Sequence, residues 1–112
     1  MDNYATPQWI RDLFIDFFDP CPLNPNPQIN GLTIEWKDRT FVNPPYSSPL
    51  KWVEKAIEES KKGKLIVMLL RVDTSTKWFS KLIEAKAEIL WFSKRLRFTD
   101  TAANFPSMLV VL

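Results

Sequence analysis

Histidine is absent from this 112-residue chain, and cysteine occurs once, at Cys21. The first absence excludes histidine-based acid–base catalysis and most zinc sites. A lone thiol forms no internal disulfide, and without a nearby imidazole it lacks the usual activating base, so Cys21 is not read as a nucleophile. Only two glycines are present, Gly31 and Gly63. No glycine-rich loop follows a strand, as it does where a backbone must approach a phosphate or nucleotide closely. Long apolar runs are also missing. The longest, Leu65–Leu70, is far too short to span a bilayer, and the amino-terminal Met-Asp-Asn-Tyr shows no secretion pattern. These features predict a cytoplasmic protein with no membrane segment and no metal.

Aromatic residues are plentiful: five Trp and eight Phe supply large side chains for a core. The length suits a single domain over residues 1–112. The net charge of +2 neither demands nor opposes a nucleic-acid partner.

Thr6-Pro7 reads as a helix start, followed by Trp9, Ile10, Leu13, Phe14 and Phe17 at helical spacing. Asp19-Pro20 ends that segment after a short extended piece at Phe17-Phe18. Residues 19–31 hold four prolines and three asparagines and read as a loop. Leu32–Trp36 alternates as a strand does. Thr40-Phe41-Val42 is a short strand that runs into Asn43-Pro44-Pro45-Tyr46. Ser48-Pro49 starts a helix that reaches Lys62, with Leu50, Val53 and Ile57 inward and Gly63 as its stop. Lys64–Leu70 has the continuous apolarity of a buried parallel strand. A third helix, capped near Thr74 or Ser75, carries Trp78, Phe79, Leu82 and Ile83. Strands at 87–92, 95–98 and 108–112 complete an α/β pattern with a mostly parallel sheet. In such sheets ligands bind beyond the carboxyl ends of strands, where Asn43 stands.

Asn-Pro-Pro-Tyr at that place has a chemical rationale. The exocyclic amine of adenine is a poor nucleophile because its lone pair is delocalised into the ring. The Asn43 side-chain oxygen and the Pro44 carbonyl are acceptors suited to drawing that amine towards tetrahedral geometry. Pro44 and Pro45 stiffen the backbone that carries them, and Tyr46 offers a face for an extruded base. As a bare tetrapeptide the segment is equally a turn; its position between a strand and a capped helix favours chemistry.

The chain resembles the phage-type DNA N-6-adenine methyltransferase (Dam) family over nearly its whole length. The matching pieces are Ala5-Thr6-Pro7 with Trp9, Asp19-Pro20-Cys21, Gly31-Leu32 before Trp36, and Phe41-Val42-Asn43-Pro44-Pro45-Tyr46-Ser47. Trp52–Ala56, Met68-Leu69-Leu70, Asp73-Thr74 with Trp78-Phe79, and Arg95-Leu96-Arg97-Phe98 follow in the family's order. The resemblance implies a three-layer, Rossmann-like methyltransferase fold in abbreviated form, S-adenosylmethionine as donor, and adenine N6 in DNA as acceptor. It implies Asn43, Pro44, Pro45 and Tyr46 as the catalytic segment, and Asp19 with Thr6, Pro7 and Asn43 at the donor. Tyr46, Ser47, Arg71, Arg95 and Arg97 are the candidate substrate contacts. Asp73 faces a ligand or caps the following helix. Trp36 and Trp52 are either core or site, and Lys61, Lys62 and Lys64 read as a solvated helix end. Two other readings stay open: the same chemistry on RNA or a protein amide, and a non-catalytic relative that binds DNA or a partner without the donor.

Overall fold

The computed structural model describes residues 5–22, 30–98, 101–102 and 105–112, the side chains of 101–102 excepted. Most of the proline-rich stretch, residues 23–29, lies outside the described residues, as do the first four.

The elements are α1 (Gln8–Leu13), β1 (Arg39–Val42), α2 (Pro49–Ser60), β2 (Leu65–Arg71), α3 (Lys77–Glu84), β3 (Glu88–Trp91), β4 (Arg97–Phe98), β5 (Thr101–Ala102) and β6 (Ser107–Val111). Four strands form one sheet in the order β1-β2-β6-β3, and β4 pairs with β5 as a separate ribbon. β1 and β2 are parallel, whereas β6 is antiparallel to both of its neighbours. The sheet is therefore mixed, not mostly parallel as the apolar runs suggested. The cause is topological: β6, the last strand, inserts between β2 and β3 and runs against them. β1, β2 and β3 still point the same way, so their carboxyl ends share one edge.

That edge gathers more chain. Phe18 makes an isolated parallel bridge with Thr40, through Phe18 N–H to Arg39 O and Phe41 N–H to Phe18 O, each 2.9 Å. Asp19 thus follows Phe18 in the direction in which Phe41–Asn43 follow Thr40.

Period-two alternation along β2 buries both faces. Ile66, Met68 and Leu70 pack with Val53 and Ala56 of α2 and Trp78 and Leu82 of α3. Val67 and Leu69 pack with Ile10 of α1, Phe41, Leu96 and Phe98. Helices accordingly cover both faces. Trp36 and Trp52 belong to the first core, their rings stacked at 6.3 Å.

Three local expectations change. Leu32–Trp36 is a turn and not a strand: Asn30 accepts from Leu32 N–H and Thr33 N–H, and its alternating apolar side chains pack onto the first core. α1 begins at Gln8 and ends at Leu13, with no side-chain cap, because the cap position falls on Pro7, which has no polar side chain, and not on Thr6. α3 is capped by Thr76, which accepts from Phe79 N–H at 3.2 Å, and not by Thr74 or Ser75. Gly63 closes α2 with φ +89°, a conformation that favours glycine.

Candidate active site

The short strand β1 ends at Val42, and Asn43 is the first residue beyond it. Register carries Val42 level with Met68 of β2, so the next residues climb beside the end of β2. Pro44 is buried, whereas Asn43, Pro45 and Tyr46 are partly exposed and Ser47 is exposed. Ser48 N–H closes the turn on Pro45 O at 3.3 Å. α2 then begins with Pro49, whose fixed φ suits a first helical turn.

Three contacts fix the segment. Asn43 Nδ2 donates to the Thr6 hydroxyl at 3.1 Å. Arg71, at the end of β2, donates from Nη1 to the Tyr46 carbonyl at 3.0 Å. The Tyr46 ring lies 4.9 Å from that of Phe105 and 6.4 Å from that of Phe98, edge-on to the latter, and its hydroxyl is buried. A tyrosine offered as a platform thus rests on an aromatic bed. That bed was not recognised from sequence, although alternation in residues 95–98 could have found half of it. Leu96 and Phe98 are buried there, while Arg95 and Arg97 are exposed.

Arg71, a candidate for substrate phosphate, faces the protein's own motif. Its guanidinium also lies 3.8 Å from Asp73 and 5.7 Å from the Trp78 ring. Asp73 accepts from Ser75 Oγ at 2.7 Å and from Ser75 N–H. Those bonds hold its carboxyl below the usual carboxylate range and close a turn ahead of α3, whose cap is Thr76 and not Asp73.

Asp19 accepts from Cys21 N–H at 2.9 Å, which closes a turn after Phe18. The residue is exposed, yet the protein crowded around it still desolvates its carboxyl enough to push it up, against the Cys21 N–H and the charge of Arg11. Gly31 ends the intervening stretch against this turn. A Cβ there would stand 2.1 Å from Pro20 O and 2.8 Å from the Trp52 ring, so only glycine fits. The close approach that this glycine permits is to Pro20 and not to a ligand.

Thr6 and Pro7 line a cavity of about 530 Å³ together with Trp9, Arg95 and Arg97. A larger cavity of about 700 Å³ opens at the opposite end of the parallel pair, beside Trp36, Arg39 and Lys64, and holds none of the residues assigned to catalysis, donor or substrate. Among the described residues no cluster could hold a metal ion, and no helix is long and apolar enough to cross a membrane.

Comparison with known proteins now decides the family. The family profile for DNA N-6-adenine-methyltransferase (Dam) matches residues 20–108. The chain belongs to the Dam family. A DNA N-6-adenine-methyltransferase of Haemophilus phage HP1 is 35% identical over an alignment of 134 residues, covering 98% of this chain and 78% of that protein. One from Escherichia phage T1 is 45% identical over 56 residues, covering 50% of this chain and 24% of that protein. No solved structure matches. The family match takes in Asn43–Ser47, Arg71, Arg95 and Arg97 and begins just after Asp19. The alignment with the phage HP1 enzyme spans nearly the whole chain.

Proposed function

We propose that this Dam-family chain transfers a methyl group from S-adenosylmethionine to the N6 amine of adenine in DNA, in the cytoplasm of the host cell of a phage. We take it as one Rossmann-like domain. The observation that carries the assignment of residues is the Asn43–Tyr46 segment at the end of β1, held from three sides by Thr6, Arg71 and the Phe98–Phe105 pair.

The side chains at this edge fit the donor in kind. The Asp19 carboxylate, fixed by Cys21 N–H, accepts from an ammonium or from ribose hydroxyls. Thr6, bonded to Asn43 Nδ2, and its neighbour Pro7 are assigned the rest of that boundary. When bound, S-adenosylmethionine supplies an electrophilic methyl group on a sulfonium centre.

The remaining work belongs to the chain. Asn43 Oδ1 and the Pro44 carbonyl accept the two N6 hydrogens, which draws the amine out of conjugation and frees its lone pair. That pair is then free to take the methyl group that bound S-adenosylmethionine would supply, with the sulfide as leaving group, and N6 gives up one proton to solvent. Tyr46 holds the base flat while its amine meets Asn43, and Ser47 lies at the exposed rim. The two prolines fix the acceptors before the base arrives, so little reorganisation is left for the transition state.

Methyl transfer from labelled S-adenosylmethionine to unmethylated DNA tests the assignment. Asn43→Ala should cut turnover about 10²–10³-fold while donor affinity holds. Asp19→Ala should weaken donor binding in titration calorimetry. Absence of donor binding at millimolar concentration would instead support a non-catalytic module, and transfer to RNA or a protein amide without DNA would move the substrate.

A further inference from the structure

The cavity beside Thr6 has a wall that the donor does not account for. Among the described residues, the charged side chains that line it are Arg95 and Arg97. Two guanidinium groups suit an anion and oppose a sulfonium. Arg95 and Arg97 alternate with buried Leu96 and Phe98, so the alternation that packs the aromatic bed under Tyr46 turns both arginines outward.

Trp9 lines the same cavity. It is 53% exposed, a large aromatic surface for a soluble chain. Its ring meets Phe92 edge to face, at 5.8 Å and 84°. Such a contact steadies the indole and leaves at least one of its two faces uncovered by Phe92. Thr6 lines the same cavity and bonds to Asn43, so this space adjoins the reaction centre.

An exposed aromatic ring and two arginines around one cavity are the chemistry that holds a single nucleic-acid strand: bases stack and phosphates pair. We propose that this cavity holds a nucleotide of single-stranded DNA that flanks the target adenine, its base against Trp9 and its phosphates at Arg95 and Arg97. A volume of about 530 Å³ is ample for one nucleotide. The site rests on the reading of DNA as substrate, and it adds a place where the strand is gripped without being methylated.

A fluorescein-labelled thymidine oligonucleotide is the probe, because it offers no adenine and is bound without turnover. Anisotropy titrations with the whole chain should show binding that Trp9→Ala weakens roughly fivefold to a hundredfold and Trp9→Phe largely retains. Arg95→Gln should weaken binding and lower the slope of log affinity against log salt by about 0.7. Donor affinity, followed by calorimetry, should stay unchanged in Arg95→Gln. The site is overturned if the parent does not bind the oligonucleotide, if Trp9→Ala and Arg95→Gln bind it as the parent does, or if Arg95→Gln weakens the donor instead. If the oligonucleotide results hold while no adenine is methylated, the methyltransferase assignment fails and the strand site stands.

Discussion

Asn43 Nδ2 donates to the hydroxyl of Thr6 across 37 positions of sequence. An amide has two ends of opposite polarity, so committing the nitrogen sets the direction of Oδ1 as well. Thr6 then acts on the reaction by orienting Asn43. Thr6→Val keeps the shape and removes the acceptor. A hydrogen bond of this kind is worth about 0.5–1.5 kcal/mol, so turnover should fall roughly twofold to tenfold. Thr6→Ser should restore it, and donor affinity should move little. A large loss of donor affinity with turnover intact would place Thr6 on the donor directly.

Arg71 is tied to Tyr46 in the same way, through a backbone carbonyl that a substitution at Tyr46 cannot remove. Arg71→Met should lower kcat with only a small change in KM for an oligonucleotide, and Arg71→Lys should recover part of the loss. The salt dependence separates two roles. A guanidinium that holds the motif leaves the salt slope of DNA binding as it was, whereas a phosphate contact would lower it by about 0.7–0.9 on removal.

The elements whose stability is local were legible from sequence. α2 and β2 follow from an inward apolar row, a proline at the helix start, Gly63 at its end and a continuous apolar run. Strand order carries no such local mark: nothing in the periodicity of Ser107–Val111 says that it enters between β2 and β3. Leu32–Trp36 misled because a turn packed over a helix alternates as a strand does. The motif itself was legible because strand end, two prolines and helix start are adjacent. Its supports were not, since Thr6 meets Asn43 over 37 positions and Arg71 reaches Tyr46 over 25.

Glu59 is fully buried, and its carboxylate takes Trp36 N–H at 2.8 Å together with Lys62 and Lys64, with Lys55 at 3.4 Å. Lys62 and Lys64, which read as a solvated helix end, instead pair with this carboxylate. Burial alone would raise its pKa. The bonds from Lys62, Lys64 and Trp36, with the charge of Lys55, outweigh burial and lower it to about 2 from an ordinary 4.5. A depressed folded value stabilises the fold above pH 4.5, and that contribution disappears as pH falls towards 2. The unfolding midpoint of the parent should therefore drop across this window. Glu59→Gln should flatten the drop and be less stable near pH 7, because it strands the nearly buried Lys64 ammonium; breaking such a pair costs about 3–5 kcal/mol. Parallel pH profiles of parent and variant would contradict this account.

Tyr46 provides the most direct test of the proposed chemistry. Its ring is supported by Phe105 and Phe98, and its hydroxyl is buried. If the base lies against the ring, the aromatic surface matters and the hydroxyl does not. Tyr46→Phe should keep most activity. Tyr46→Ala should lower methyl-transfer efficiency by roughly fivefold to a hundredfold, since a base stacked on an aromatic side chain is worth about 1–3 kcal/mol. Truncation also removes packing from Phe98 and Phe105, so the thermal midpoint must be followed beside the kinetics. Phe98→Leu serves as the control, because it loosens the same bed and leaves the Tyr46 ring in place. A loss in Tyr46→Ala well beyond that in Phe98→Leu, at comparable loss of stability, assigns the difference to the base. Donor affinity should stay near the parent value in all three variants. If Phe proves as damaging as Ala, the hydroxyl carries the role; if Ala is harmless, Tyr46 serves only to close the turn after β1.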